Sequence, residues 1–307
     1  SDQGTDGSTV SRPGYLVSGT SGLLGKKVVE ILLEQNQDVS SIGRSVPSFA
    51  KGKVLEIEAD FSEKTYTTSG SSIPERVVHL SQSRHYQEFP SRAVDIFDVN
   101  LRSTVNLLSS AYTAGSKSFL LASTGGVYRL SGQMLHEDSV LAPPGSLNYY
   151  LATKFAAEAF ARTYDELMKV AILRYFFIYG PGQAETMLIP RLVKRVLAGE
   201  PVTVDGENGT LVSPIFVDDA AQATVAAAKG FSGTVNIAGN EEWAIGDIAR
   251  AIGELAGTPA NVILSGKPVT HNLIADASRM RTELHNPTTG LLEGLTQVVE
   301  DALLPGK

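Results

Sequence analysis

Cysteine is absent from this chain of 307 residues, which removes disulfides, thiolate nucleophiles and Cys-ligated metals. No block of Lys and Arg appears, and the formal net charge is -7, so nucleic acid is not an expected partner. A phosphate-bearing ligand stays possible, because the charge of one pocket can oppose that of the whole molecule. No apolar run approaches a membrane span, and no hydrophobic segment follows a basic start. A membrane is therefore not expected, and the cytoplasm is the default location. No metal site is expected.

What is present suits a large core: 42% of residues are hydrophobic and 19% charged. The polar opening, residues 1–12, reads as a disordered tail. Beyond it, apolar runs alternate with helical patterns. Tyr15 to Ser18 reads as a strand, Gly22 to Gln35 as a helix and Val39 to Ile42 as a second strand. Val54 to Ile57 and Val77 to Leu80 continue as strands three and four, and Asn100 to Ala114 as a helix. Ser118 to Ala122 is strand five, Tyr149 to Met168 a long helix and Ala171 to Tyr175 strand six. Such alternation predicts an α/β fold with a doubly wound parallel sheet of Rossmann type over residues 13–180. Residues 181–307 read mainly as a smaller α/β substrate-binding cap, with segments returning to the sheet.

Gly19, Gly22 and Gly25 follow strand one in GxxGxxG spacing and open a helix. The first permits a tight turn, the second a close backbone approach to a pyrophosphate, and the third close packing of helix on strand. A plain strand-to-helix loop can also use three glycines, but this one stands in the context a dinucleotide site requires. At the tip of strand two, Ser41-Ile42-Gly43-Arg44 carries no acid for a ribose 2′-hydroxyl. Arg44 either pairs with a 2′-phosphate, a lean toward NADP over NAD, or is a solvated arginine.

Tyr150 and Lys154 lie four residues apart, on one face of their helix. A nearby ammonium lowers the pKa of a phenol and makes it a usable acid or base. A surface pair would show the same spacing. Strand five runs into Ser123-Thr124, and the C-terminal end of a strand is where active-site groups gather in open α/β sheets.

In order along the chain, these features resemble the extended short-chain dehydrogenase/reductases, the family of nucleotide-sugar epimerases and dehydratases. Asp60-Phe61, Val78-His79-Leu80, Asn100, Leu173-Arg174-Tyr175, Tyr179-Gly180-Pro181-Gly182 and Val217-Asp218-Asp219 add to the likeness, which runs from Tyr15 to about Leu304. The resemblance implies that Tyr150 is the catalytic acid/base, Lys154 its pKa partner and ribose ligand, and Thr124 a ligand of the substrate hydroxyl. Gly19, Thr20, Ser21, Gly22, Leu23 and Gly25 would hold the pyrophosphate side of NAD or NADP. Arg44, Asp60, Phe61 and Leu80 would complete the cofactor contacts. Ser83, Arg84, His85, Thr124, Gly125 and Phe177 would face substrate, whereas His79, inside a buried strand, would be a core residue. A homodimer through the Tyr150 helix and the helix before it is also implied.

Departures narrow the reaction. Dehydrating members place Asp-Glu after the active-site Thr, and here Gly125-Gly126 stand there. Members that epimerise beside a ketone use a cysteine, which this chain lacks. Hydride transfer at one carbon remains: a C4-type sugar-nucleotide epimerase, or an NADPH-dependent ketoreductase on a sugar or other carbonyl. A non-catalytic dinucleotide sensor is the third class. Two further positions differ from the pattern of sugar-nucleotide binders: Phe177 stands for an expected Asn, and Val212 for a diphosphate-binding Arg. Arg191, Lys194 and Arg195 on the next helix can compensate, or form a solvated face.

Overall fold

A computed structural model describes residues 14–63 and 73–304. The tail expected to be disordered lies outside those residues. The short apolar strands β1 (Tyr15–Ser18), β2 (Val39–Gly43), β3 (Leu55–Glu58), β4 (Arg76–His79), β5 (Ser118–Thr124) and β6 (Lys169–Tyr175) form one sheet with an edge strand, Gly233–Ile237. Every pairing is parallel, in the order edge strand, β6, β5, β4, β1, β2, β3. The chain leaves β1 toward β2 on one side and returns to β4 on the other. The C-terminal ends of β1 and β4 thus flank the crevice where open α/β sheets bind ligands.

Helices cover both faces, as parallel strands buried on both sides require. Helix α1 (Leu23–Glu34) buries Val28, Val29, Ile31 and Leu32. Its exposed Lys27 pairs with Asp218 at 3.4 Å, on a helix that comes much later in the chain. The short α2 (Ala93–Phe97) runs through a π-turn, Asp98–Arg102, into α3 (Ser103–Thr113). Asn100, expected to open a regular helix, lies instead in the π-turn, a wider coil that frequently marks functional sites. Its amide accepts from Ser83 N (2.9 Å) and donates to Thr153 Oγ1 (3.1 Å), tying the loop after β4 to the helix bearing Tyr150. That helix, α4 (Tyr149–Arg162), starts on Asn148, whose side chain caps Leu151 N at 2.9 Å. It ends six residues before the expected Met168, where Thr163 Oγ1 bonds back to Phe160 O at 2.7 Å and tight turns follow.

The second half divides its loyalties. The strongly amphipathic α5 (Leu188–Leu197) packs with a two-stranded ribbon, Val202–Val204 on Val262–Leu264, around a separate core. Helix α6 (Val217–Ala228) and the edge strand go back to the sheet, with Ala220, Ala221, Ala223 and Ala227 buried beside α1 residues. Helix α7 (Ile245–Ala256) and, beyond α8 (Ser278–Glu283), helix α9 (Leu291–Ala302) return to the second core. Asp219 clamps the two halves, accepting from His285 Nε2 (2.7 Å), Thr288 N (2.9 Å) and Thr289 N (3.0 Å). Among the described residues, no helix is long and apolar enough to cross a membrane.

Candidate active site

The turn after β1 holds Gly19 at φ +74°, a left-handed conformation. A Cβ there would also lie 2.9 Å from the Leu80 carbonyl carbon and from Ser81 N, the chain leaving β4. A Cβ on Gly25 would strike the Gly19 carbonyl oxygen, so helix and turn can approach only through glycine. Helix α1 begins on Gly22, with no side-chain cap and no acid in its first turn, so its leading N–H groups are available to an anion. The cradle fits the pyrophosphate of a dinucleotide.

A cleft of about 240 Å³ runs from this turn over the sheet edge, lined by Thr20, Ser21, Arg44, Asp60, Phe61 and Leu80 among others. Thr20 Oγ1 meets Ser41 Oγ at 2.7 Å, which pins the turn to β2. Asp60 accepts from Ser62 N (2.9 Å) and Ser62 Oγ (2.7 Å), and these bonds with the Arg44 charge hold its carboxyl below its usual range. Gly43 would meet nothing within 4 Å with a side chain, leaving open space beside Arg44.

The cleft opens into a larger cavity of about 620 Å³, which shares Gly19, Gly22, Leu80 and Gln82 with it. Thr124, Tyr150, Lys154 and Phe177 line it. The Tyr150 hydroxyl donates to Gln82 Oε1 at 3.0 Å, and its ring lies 5.3 Å from that of Tyr86. Lys154 is buried, and its Nζ donates to Ala122 O at 2.9 Å. Thr124 Oγ1 accepts from Gly126 N at 3.2 Å.

The electrostatics differ from the expected pairing. Desolvation, with a smaller contribution from Tyr86, raises the Tyr150 phenol above its ordinary value, and Lys154 is not among the groups that act on it. Burial lowers Lys154 to about 8 against the opposing pull of Glu158. In this arrangement the ammonium serves the Ala122 carbonyl, and the phenol is a proton donor to Gln82. A ligand that brings positive charge beside Tyr150 is needed to make a phenolate.

Several expected substrate contacts lie elsewhere. Ser83 is buried beneath the site, its hydroxyl donating to Asp95 and accepting from His85 N at 3.1 Å. His85 pairs with Glu88 at 2.7 Å, away from the cavity wall. Arg84 lines the cleft beside the glycine turn. Gly125 is buried, and a Cβ on it would run into the Phe176 ring; one on Gly126 would come within 2.7 Å of Leu151 Cδ2. Side chains at these two positions would require Phe176 and Leu151 to move, so the acid pair of a dehydrating site is replaced by closely packed glycines. Phe177 reaches the cavity from a left-handed backbone, φ +46°, unusual for a bulky residue and a mark of functional sites. Arg191, one of the three basic residues expected either to compensate or to be solvated, lines the cavity, as do Gln82, Tyr86, Gln183 and His271, which no local motif announces. Among the described residues no cluster of potential metal ligands occurs.

His79, beneath the cradle, hydrogen-bonds Ser18 Oγ through Nδ1 (2.7 Å) and Ser103 Oγ through Nε2 (3.0 Å), one nitrogen as donor and the other as acceptor. Ser18 Oγ also receives Leu80 N at 3.2 Å, so this neutral imidazole helps hold the crevice floor.

Comparison with known proteins agrees with this geometry. The profile of the NAD dependent epimerase/dehydratase family matches residues 15–239. The chain belongs to that family. It is 26% identical to the UDP-glucuronate 4-epimerase of Thermodesulfobacterium geofontis, over 93% of this chain and 94% of that one. The solved structure of MoeE5 with UDP-glucose and NAD superposes with a TM-score of 0.78 at 28% identity, over 94% of this chain and 98% of that one. UDP-glucuronic acid 4-epimerase from Bacillus cereus, solved with UDP-glucuronic acid and NAD, gives 0.79 at 26% identity over the same shares. The Rossmann-type sheet and the dinucleotide-dependent enzyme class are thus those of the family.

The histidine generates a pH prediction. Burial, then the Lys154 charge, depresses His79 from 6.5 to about 3 in the folded chain. Below 6.5 the unfolded chain takes up a proton that the folded chain refuses, so stability falls on acidification, by up to roughly 1.4 kcal/mol per pH unit. Above about pH 4.5 the carboxylates whose pKa is lowered contribute little, and comparison with a His79 variant separates this histidine from the others. Urea denaturation at pH 7 and pH 5 should show this slope in the wild type and a shallower one in His79→Gln. Equal slopes would remove His79 as its source.

Proposed function

We propose that the protein is an NAD(P)-dependent epimerase acting at C4 of a sugar nucleotide, with Thr124, Tyr150 and Lys154 as its reacting constellation. The observation that carries this reading is the convergence of Thr124, Tyr150 and Lys154 on one cavity continuous with the glycine cradle. Relatives described as UDP-sugar 4-epimerases over nearly the full chain support it. The packed Gly125-Gly126 pair favours it over dehydration.

When bound, the cofactor supplies hydride acceptance and return at the sugar carbon, together with the positive ring charge that the site needs. The chain supplies the rest. Thr124 Oγ holds the reacting hydroxyl, and Tyr150 Oη receives its proton and later gives it back. Gln82 is the resting partner of that phenol and gives it up as substrate enters. Lys154, once drawn from the Ala122 carbonyl toward the ribose, stabilises the phenolate. Phe177 and Val212 present apolar wall where the intermediate turns from one face to the other.

For the cofactor we favour NADP, on the ground that Arg44 borders the cleft at the tip of β2 and no acid stands there. Stoichiometric consumption of NADPH on turnover would favour the second reading, a ketoreductase running only the return half of the reaction. The chain is further proposed to form a homodimer through α2, α3 and α4. These packed helices leave Val94 (68% exposed), Tyr112 (49%) and Phe160 (50%) toward solvent.

Three outcomes check these proposals. Wild-type protein with NADP or NAD should interconvert UDP-glucuronate and its C4 epimer, and Tyr150→Phe should lose at least about 100-fold in kcat with cofactor affinity kept. A Tyr150→Phe rate equal to wild type would exclude the phenol from the chemistry. Arg44→Asp should weaken NADP far more than NAD in equilibrium titrations; an unchanged ratio would leave the arginine as a solvated side chain. Sedimentation should report two chains per particle and Phe160→Glu should shift it to one, whereas a wild-type monomer would refute the interface.

A further inference from the structure

The large cavity has an uneven charge. The chain carries 33 acidic residues against 26 basic ones, yet no Asp or Glu lines this cavity, while Lys154 and Arg191 both do. Lys154 belongs to the cofactor end and is held by the Ala122 carbonyl. Arg191 enters from α5.

Its neighbours on the helix are already engaged. Lys194 pairs with Glu185 at 2.5 Å, and Arg195 donates to Pro201 O at 2.8 Å, both outside the cavity. Among the described residues, Arg191 has no carboxylate within ion-pair distance. The same cavity is lined by apolar Met187, Leu188, Val212 and Leu273 and by polar Gln183, Thr186 and His271, so an anion there would meet a guanidinium in a partly apolar enclosure. Such surroundings strengthen a charged hydrogen bond once water is displaced.

One side chain, Tyr86, interacts with both Arg191 and Tyr150. Tyr86 feels the Arg191 charge at its hydroxyl end, where Oη donates to Met187 Sδ at 3.2 Å, and its ring stands 5.3 Å from that of Tyr150. A group bound by Arg191 is therefore close to the sugar carbon that Tyr150 serves, without being the reacting group. Val212, where a diphosphate-binding Arg is expected from the family pattern, borders the same cavity as a buried side chain too short to reach an anion.

We propose that Arg191 is the substrate-anion anchor of this enzyme, binding an oxyanion group of the sugar nucleotide in place of the guanidinium missing at Val212. The assignment rests on the sugar-nucleotide reading above. The oxyanion is either the diphosphate or a uronate carboxylate, and guanidinium geometry suits both through two parallel N–H bonds.

Calorimetric titration of the full chain, saturated with NAD, tests it with three probes: UDP, UDP-glucose and UDP-glucuronic acid. Arg191→Gln should raise Kd at least about tenfold, the loss expected of a charged hydrogen bond. Arg191→Lys should recover part of it. Weakening of all three probes assigns the diphosphate; weakening of UDP-glucuronic acid alone assigns the carboxylate. Unchanged affinity for all three in Arg191→Gln, with the wild type binding them, would overturn the anchor and leave the epimerase reading intact. A wild type that binds none of them would overturn the sugar-nucleotide reading and this assignment together. An unchanged NAD affinity and melting temperature in the variant would show that any loss arises at the substrate end.

Discussion

A buried ion pair joins the parts that must meet at the cavity. Arg174 in β6 and Glu158 in α4 are 1% and 4% exposed, and they bond twice, Nε to Oε1 at 3.0 Å and Nη2 to Oε2 at 2.6 Å. The same carboxylate receives Ser123 Oγ at 2.5 Å, so the last turn of β5 before Thr124 is held too. On the other side the guanidinium lies 4.5 Å over the Tyr128 ring, and the Tyr128 hydroxyl donates to Asn236 Oδ1 at 2.7 Å in the edge strand. Two charges so far from water are tolerable only when every partner is in place. Strand ends, the Tyr150 helix and the returning segment are consequently locked in one relative arrangement.

Glu158 stands one helical turn beyond Lys154, and the carboxylate that secures the fold also favours the charged form of that buried lysine. Burial wins the contest, and the lysine sits at about 8. A lysine poised there, a phenol raised by desolvation and a neutral His79 beneath them describe a site whose charges are arranged for a ligand that brings its own. The family's chemistry needs such a ligand, since a cationic nicotinamide ring and a substrate hydroxyl complete the set.

Much of this was legible along the chain because it depends on local geometry. Glycines at 19, 22 and 25 must be glycines wherever a strand turns into a helix with backbone in contact, and the alternation of strands and helices follows from periodicity. The gaps have physical causes as well. Ser83, Arg84 and His85 follow β4, where a one-residue change of direction sends successive side chains to different places. One is buried against Asn100 and Asp95, one borders the cofactor cleft, and one pairs with Glu88 on the surface. The π-turn at Asp98–Arg102 is invisible to helical periodicity, and the end of α4 was decided by a side-chain bond at Thr163.

The sequence by itself determined the sheet, the phosphate cradle, the Tyr150–Lys154 spacing and the exclusion of thiol chemistry, each a property of neighbours in the chain or of composition. Tertiary structure decided what those residues face. It turned Lys154 toward the Ala122 carbonyl, set Gln82 and Tyr86 against the phenol and brought Arg191 from α5 into a cavity free of acids. Contacts between residues tens of positions apart depend on how layers pack, and packing is a property of volumes and burial that spacing along the chain does not carry.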